Sequence, residues 1–406
     1  MSQSYRLKRF TNAPILRRID FSLLVEFFES DDRFVQFLSQ RGMRWTRERG
    51  TFDYDALASI LMDPGVDAPD ELLDALYFVD NLADDECYDS ILRECSSAGI
   101  DLGTAELTPE ELTLRVWLRD RNILERVHAE HRRVSPRKFE SFYPTFGRPP
   151  EFRPPSAQAL SVLEDDLNTW YAFKKKGRGA RIFVFPREDG VWFLIRHGQR
   201  LKREGTMESD GAPGSVFYRP EKFDVAIYYP ATGELAINTA TKGEREAYCN
   251  HFGKHFFGNE RFFRFVEPLA KYTLRPLIEQ GLGALACSDV EGMRSVRLSE
   301  LCIAHRGDQY DIEIRRASDV FAALARQGRA VEQTEDSREL LRAKFSIIFS
   351  DGAERKVVIE PPNIASFDRD ADNAIVHEWL SRRGFICTQT RRDGSDARPD
   401  AVVAVH

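Results

Sequence analysis

The sequence predicts an α+β protein: an N-terminal helical module followed by domains that mix β-hairpins with helices. Three observations carry this. Through residues 1–143 apolar side chains recur at helical spacing and cap residues separate the stripes. Beyond residue 180, short aromatic and β-branched runs flank Asp-Gly and Pro-x-x-Gly turns. Between the two, Pro144-Thr145-Phe146-Gly147-Arg148-Pro149-Pro150-Glu151-Phe152-Arg153-Pro154-Pro155 holds five prolines in twelve residues, which break helix and sheet alike. The predicted divisions are a helical module over 1–143, a Pro-rich linker over 144–155, an α+β domain with two hairpins over 156–285 and a C-terminal α+β domain over 286–406.

In the first module, Asp20 is a cap for a helix carrying Leu23, Leu24, Phe27, Phe28, Phe34, Val35 and Leu38, with Gly42 as its stop. A second helix covers 54–62 and ends at Asp63-Pro64-Gly65. Leu72, Leu73, Leu76 and Val79 form the next stripe, after Pro69. A helix over 88–98 stops at Gly99. Thr108-Pro109-Glu110-Glu111 then supplies a Thr cap, Pro at the first position and Glu at the third. The helix it starts carries Leu112, Val116 and Leu118 and extends toward His131, with a break along the way.

After a helix that follows the linker, Ile182-Phe183-Val184-Phe185 and Val191-Trp192-Phe193-Leu194-Ile195 flank an Asp189-Gly190 turn, a hairpin. A second hairpin joins 222–229 to 234–238 through Pro230-Ala231-Thr232-Gly233. Residues 244–281 read as helical. Strands at 295–301 and 310–314 precede a helix over 318–327. A hairpin of 344–349 with 356–359 turns at Ser350-Asp351-Gly352, and a last helix over 371–382 closes at Gly384. The final dozen residues read as a short strand and a polar tail.

Bulk properties exclude several classes. The chain has 406 residues, 42% apolar and 30% charged, which fits two or three folded domains rather than disorder. No apolar run approaches the roughly 20 residues of a membrane helix, and no signal-peptide core follows Met1, so the cytoplasm is the expected compartment and no membrane partner is expected. Six scattered cysteines, Cys87, Cys95, Cys249, Cys287, Cys302 and Cys387, form no Cys-x-x-Cys pair, which argues against a disulfide framework or a zinc site. No P-loop, no dinucleotide fingerprint after a strand and no Gly-x-Ser-x-Gly occurs. No cofactor and no metal are expected.

The charge is segregated although the net value is only −7. Residues 60–112 hold fifteen acids against one base, Arg93. Residues 170–205 hold ten bases against three acids. The first reading of both blocks is solvated faces, and the others are two halves of one interface or a phosphate-binding region beside an acidic one. Lys174, Lys175, Lys176, Arg178 and Arg181 precede the first hairpin, and Arg196, Lys202 and Arg203 follow it, with Trp170, Tyr171 and Trp192 near in sequence. Flexible cations beside aromatics suit phosphate contact with base stacking, and these eight residues are the candidate nucleic-acid site. Arg382, Arg383, Arg391, Arg392 and Arg398 around the last helix are a second basic candidate.

Catalytic readings are sparser. Asp224 and Glu234 sit on adjacent strands, as the acids of a metal-dependent nuclease would, with Lys242 as the nearest lysine beyond; Glu234-Leu235-Ala236 lacks the Glu-x-Lys spacing that such a site needs. His251 and His255 would share a helical face, as metal ligands do, but the Glu of the zinc-protease pattern is absent and Gly253 weakens the helix, and His128-Ala129-Glu130-His131 is a similarly weak signal.

Two stretches, Ser215-Val216-Phe217-Tyr218-Arg219-Pro220-Glu221-Lys222-Phe223-Asp224 through Gly253 and Phe257, and Glu360-Pro361-Pro362-Asn363 through Arg383-Gly384-Phe385, resemble uncharacterised bacterial proteins encoded beside phage-defence genes. The resemblance implies an accessory component of a defence system and brings no catalytic residue. The expected function is a non-catalytic component of a bacterial multiprotein system of antiviral defence, contacting nucleic acid and a partner protein of the same system. The alternatives are a divergent metal-dependent nuclease and a protein-interaction scaffold.

Overall fold

A computed structural model describes residues 7–65, 67–103, 106–131, 137–145, 151–207, 211–265, 269–305, 311–328, 338–369 and 371–387. The chain forms two compact units, Met1–Val134 and Ser135–His406. It is an α+β protein: helices make up the first unit, and an antiparallel sheet with helices makes up the second.

The first unit contains α1 (Ala13–Leu16), α2 (Phe21–Phe28), α3 (Asp32–Gln40), α4 (Tyr54–Met62), α5 (Asp70–Leu82), α6 (Asp85–Ser97) and α7 (Pro109–His131). Asp20 caps α2 as expected, accepting from the Leu23 amide. The helix predicted to run on to Gly42 is instead two, because Asp31 accepts from the Arg33 amide and starts α3 afresh. The break expected in the last helix is at Asp120, whose backbone is extended (φ −157°, ψ 98°) while its carboxylate takes the Asn122 amide at 3.0 Å. Phe27, Phe28, Leu57, Leu76, Val79, Leu112 and Val116 meet in one core. The acidic block lies on this unit. Asp80 is its buried member and accepts the Lys8 and Arg9 amides, whereas Asp63, Asp70, Asp85, Glu86 and Asp89 are exposed.

The second unit contains β1 (Lys138–Phe142), α8 (Ala157–Phe173), β2 (Arg181–Pro186), β3 (Val191–Gly198), β4 (Lys202–Met207), β5 (Pro213–Tyr218), β6 (Glu221–Tyr229), β7 (Glu234–Asn238), α9 (Lys242–Phe257), α10 (Arg275–Glu279), β8 (Met293–His305), β9 (Asp311–Arg316), α11 (Val320–Arg326), β10 (Arg338–Phe349), β11 (Glu354–Glu360), β12 (Ile364–Ser366) and α12 (Asn373–Arg382). Ten strands form one sheet in the order β2-β3-β6-β7-β1-β12-β11-β10-β8-β9. The segment 137–143, expected to close the helical module, is thus the strand that joins the two halves of the sheet. Phe139 and Phe142 are both fully buried, on opposite faces, and β1 pairs with β7 and β12 at once. One sheet therefore runs through the segments 156–285 and 286–406, which were expected as separate domains.

Helices cover opposite faces of the two halves. Leu163, Leu167 and Tyr171 of α8 and Tyr248 and Phe252 of α9 pack on Phe193, Ile195, Ala226, Leu235 and Ile237. Val376, Trp379 and Leu380 of α12 pack on Phe345, Val357, Ile359 and Ala365. Cross-strand register puts Leu235 with Phe142 and Ala365 with Phe139, and side chains alternate along β1, so the two helical layers face opposite ways. Strands β4 and β5 stand apart from the sheet as a two-stranded ribbon. Among the described residues no helix is long and apolar enough to cross a membrane.

Candidate nucleic-acid interface

The basic block maps onto two neighbouring pieces of the second unit, the turn after α8 and the β4–β5 ribbon. At the end of α8 the amides of Lys174, Lys175 and Lys176 bond back to the carbonyls of Trp170, Ala172 and Tyr171. Lys175 adopts the left-handed conformation (φ 62°), a strained position for a residue with a Cβ. Asn168 holds the turn to the helix, its Oδ1 accepting from the Gly179 and Ala180 amides at 2.8 Å each. The turn therefore presents Phe173, which is 79% exposed, with Lys174, Lys175 and Arg178 also exposed.

The ribbon is anchored to the same turn. Arg219, just past β5, donates through Nη1 to the Lys175 carbonyl at 2.6 Å, and the Gln199 amide donates to the Pro220 carbonyl at 2.8 Å. Gly198, at the end of β3, approaches so closely that a Cβ there would stand 2.6 Å from the Lys176 carbonyl oxygen. Register places Lys202 opposite Tyr218 and Arg203 opposite Phe217. Lys202, Arg203 and Arg200 are exposed, and Phe217 is 61% exposed. Two exposed aromatics thus stand among six exposed cations on one anchored substructure.

Lys176 points the other way. It pairs with Glu244 in a buried network at the first turn of α9. Thr241 and Glu244 make a reciprocal capping box there. Glu244 also accepts from Thr239 at 2.6 Å and from Lys222 at 3.3 Å. Asp224 on β6 receives Tyr248 Oη at 2.7 Å, Thr239 at 2.8 Å and His197 Nε2 at 3.0 Å, with Lys222 Nζ at 2.7 Å from its second oxygen. The His197 ring stacks on Tyr171 at 4.4 Å, and Tyr171 Oη meets Tyr248 Oη at 2.5 Å.

Burial alone would raise the Glu244 carboxyl, but the hydrogen bonds from Lys176 and Thr239 and the charge of Lys222 outweigh it and hold the group at about 2. Asp224 is lowered in the same way: burial opposes, and the His197 bond and the Lys222 charge prevail. Two carboxylates face two ammonium groups, so the network is compensated. It ties β3, β6, α9 and the α8 turn together beside the exposed cations.

Of the eight predicted nucleic-acid residues, Lys174, Lys175, Arg178, Lys202 and Arg203 lie on the turn and ribbon, and Arg181 is exposed at the start of edge strand β2. Lys176 is committed to Glu244, and Arg196 is half-buried over the Phe183 ring with Glu221 at 3.7 Å. Those two are withdrawn from the surface.

The nuclease set Asp224, Glu234 and Lys242 is not brought together. Glu234 pairs with Tyr229 across the β6–β7 ladder, five residues from Asp224, about 16 Å at strand rise and on the opposite face of the sheet. Glu234 instead meets Lys271 at 2.6 and 2.7 Å, Ser141 at 2.6 Å and Tyr143 at 3.0 Å. Lys242 begins α9 with its ammonium 5.9 Å from the Phe265 ring centre. Asp224 finds different company, namely His197 and Glu244, and ligand atoms of the three lie within 4.8 Å of one another.

His251 and His255 do share a face of α9, grouped with Asp166 on α8. That carboxylate already takes Lys254 at 2.6 Å and His255 at 2.8 Å. His128 packs edge-on against Phe78 at 4.9 Å. Arg382 and Arg383 pair with Asp289, while Arg391, Arg392, Arg398 and the tail expected as a strand lie outside the described residues, as does the middle of the Pro-rich segment. No protein-family model matches the chain, and no curated protein matches it in sequence.

Proposed function

We propose that this protein is a nucleic-acid-binding component whose contact surface is the turn after α8 together with the β4–β5 ribbon. The single observation behind this is the Arg219 clasp, which makes one substructure of Lys174, Lys175, Arg178, Arg200, Lys202 and Arg203 with the exposed rings of Phe173 and Phe217. Cations supply the salt-dependent attraction to a phosphate backbone, and exposed rings supply a platform for unstacked bases. Exposed aromatics favour single strands, since a duplex offers them no base face. The exposed acids of the helical unit would repel the same backbone and suit a basic partner protein instead. The likeness to proteins encoded beside phage-defence genes supports membership of a bacterial antiviral system. The test is binding of labelled single-stranded and duplex DNA and RNA by the full chain across a salt series. Binding that falls steeply with salt supports the reading, and its absence at low salt refutes it.

A second reading, metal-dependent cleavage of the bound strand, is favoured by one observation. His197, Asp224 and Glu244 each turn a ligand atom toward one point, all within 4.8 Å of one another, the spacing of a site for one divalent ion. A divalent ion held by His197, Asp224 and Glu244 would require Lys176 and Lys222, whose side chains are 15% and 23% exposed, to swing outward. Cleavage that needs magnesium or manganese and is lost in Asp224→Asn would establish it. Cleavage unchanged in that variant, or none with either metal, would remove it.

A further inference from the structure

Helices α8 and α9 hold a second cluster of metal-ligating side chains. His251 and His255 stand four residues apart on α9, which runs unbroken through Gly253, so both rings lie on one face of the helix, nearly parallel, with 6.5 Å between their centres. Asp166 on α8 faces them. Its Oδ2 stands 2.8 Å from His255 Nε2 and 3.9 Å from His251 Nδ1, and one ligand atom from each of the three lies within 4.8 Å of the other two. Ligands of a tetrahedral zinc ion, each about 2.0–2.1 Å from the metal, stand about 3.3 Å from one another. The two contacts to Asp166 bracket that spacing, so closing around an ion asks each to change by about half an ångström. His251 Nδ1 makes no hydrogen bond. The cluster opens to solvent at Asp166, whose side chain is 33% exposed, and at Lys254, 45% exposed, whose ammonium lies 2.6 Å from the same Oδ2. A cation therefore already stands at this oxygen, on a flexible stem and held by an exposed ion pair of small worth.

We infer that Asp166, His251 and His255 bind one divalent transition-metal ion, zinc by the chemistry of the donor set. Two imidazoles and one carboxylate suit zinc, whereas magnesium and calcium take oxygen ligands. Three protein donors leave one corner of a tetrahedron over, and the exposed side of Asp166 gives that corner to water. Lys254 swings into solvent as the ion takes its place on Asp166. Coordination then joins the middle of α8 to α9. The site shares no residue with the basic turn, the ribbon or the network around Asp224, so it stands or falls apart from the proposed function.

The test is titration of the tag-free full chain, stripped with EDTA and desalted, with cobalt(II) followed by visible absorption, after which zinc is added in competition. The expected result is uptake of cobalt in equal proportion to protein, with the strong d–d bands of a four-coordinate site, and its displacement by zinc. His251→Ala and His255→Ala each weaken zinc binding by about tenfold or more, at least the cost of losing an outer-shell partner. Lys254→Gln acts in the opposite direction and tightens it by about two- to fivefold, because the competing ion pair with Asp166 is gone. A cluster that only ties the helices together by hydrogen bonds would shift Tm in these variants without this change of sign. No uptake of cobalt or zinc at about 100 μM, which fills any site of micromolar Kd, overturns the inference, as does uptake that both histidine variants keep. Uptake kept in His255→Ala but lost in Asp224→Asn places the ion in the other cluster and overturns it too. Should the histidine variants fail to fold, Lys254→Gln decides, and an affinity unchanged or lowered there overturns the inference.

Discussion

The Arg219 guanidinium donates to the Lys175 carbonyl at 2.6 Å, so the ribbon base and the turn that ends α8 are held as one surface. Replacing Arg219 with alanine should loosen this joint. The bond is charge-assisted and worth about 1.5–3 kcal/mol where it is needed, but it is exposed, so global stability should change little. We predict an affinity for single-stranded DNA reduced about three- to tenfold with Tm nearly unchanged, read by fluorescence anisotropy and a thermal melt. An equal loss for a variant altered only in the acidic block of the helical unit would argue against a role for the clasp.

The lysines in sequence at 174–176 are predicted to separate into two kinds. Lys174→Gln with Lys175→Gln should lower the slope of log K against log salt by about 0.7 per lost contact with a single strand, without unfolding. Lys176→Gln should instead destabilise the protein by about 3 kcal/mol, because Glu244 loses one of its two ammonium partners while remaining buried. Chemical denaturation and salt titration of the two variants distinguish these effects. A pure slope change in Lys176→Gln would place that side chain on the surface after all.

The exposed rings carry a separate prediction. Phe173→Ala and Phe217→Ala should each cost about 1–3 kcal/mol of single-strand binding if a base stacks on the ring, and much less with duplex. Because both rings are exposed, their removal should leave Tm within a degree or two. The check is the ratio of single-strand to duplex affinity, which should fall in each variant. An unchanged ratio would leave electrostatics as the whole of the interaction.

Acid should weaken the fold through Glu244. Its folded-state value of about 2 lies below the ordinary 4.5. The group therefore contributes stability in full above about pH 4.5 and loses it as the pH falls toward 2. The size is of order 3 kcal/mol. Urea unfolding at pH 7, 5 and 3 should show the native chain losing more between pH 5 and 3 than Glu244→Gln, whose side chain does not titrate. Parallel loss in the two would mean that other carboxylates govern acid unfolding.

Much of the fold is legible because periodicity and turn chemistry are local. The Asp20 cap, the Thr108-Pro109 start, the Asp189-Gly190 hairpin and the Pro230 to Gly233 turn all read directly from adjacent residues. What eluded sequence reading is long-range. Lys138-Phe139-Glu140-Ser141-Phe142 follows a helical stretch and shows no turn signal, so its place at the centre of the sheet depends on partners about 100 and 220 residues away. The ribbon was missed because β4 is mostly polar, both strands are largely exposed, and neither carries an apolar alternation.

The candidate site divides the same way. The basic run was visible as composition, yet which lysine faces solvent depends on the left-handed turn at Lys175. Asp224 was singled out with Glu234 because the two strands adjoin, but an odd separation along a strand puts side chains on opposite faces. Two local signals for its real neighbours were present: Thr241-x-x-Glu244 is a capping box, and Lys222 and Asp224 share a strand face at i, i+2. His197 gave none, because its position opposite Lys222 follows only from the β3–β6 register.

The most direct test of the central claim is anisotropy of a labelled single-stranded oligonucleotide with the full chain in EDTA, from about 50 to 200 mM salt. Native protein should bind with an affinity that falls tenfold or more over that range, in keeping with several phosphate contacts. A variant carrying Lys174→Gln, Lys175→Gln, Lys202→Gln and Arg203→Gln should bind weakly with a shallow slope while melting like the native chain. Equal binding and equal slope in a folded variant, or no binding by the native chain at 50 mM salt, would contradict the account.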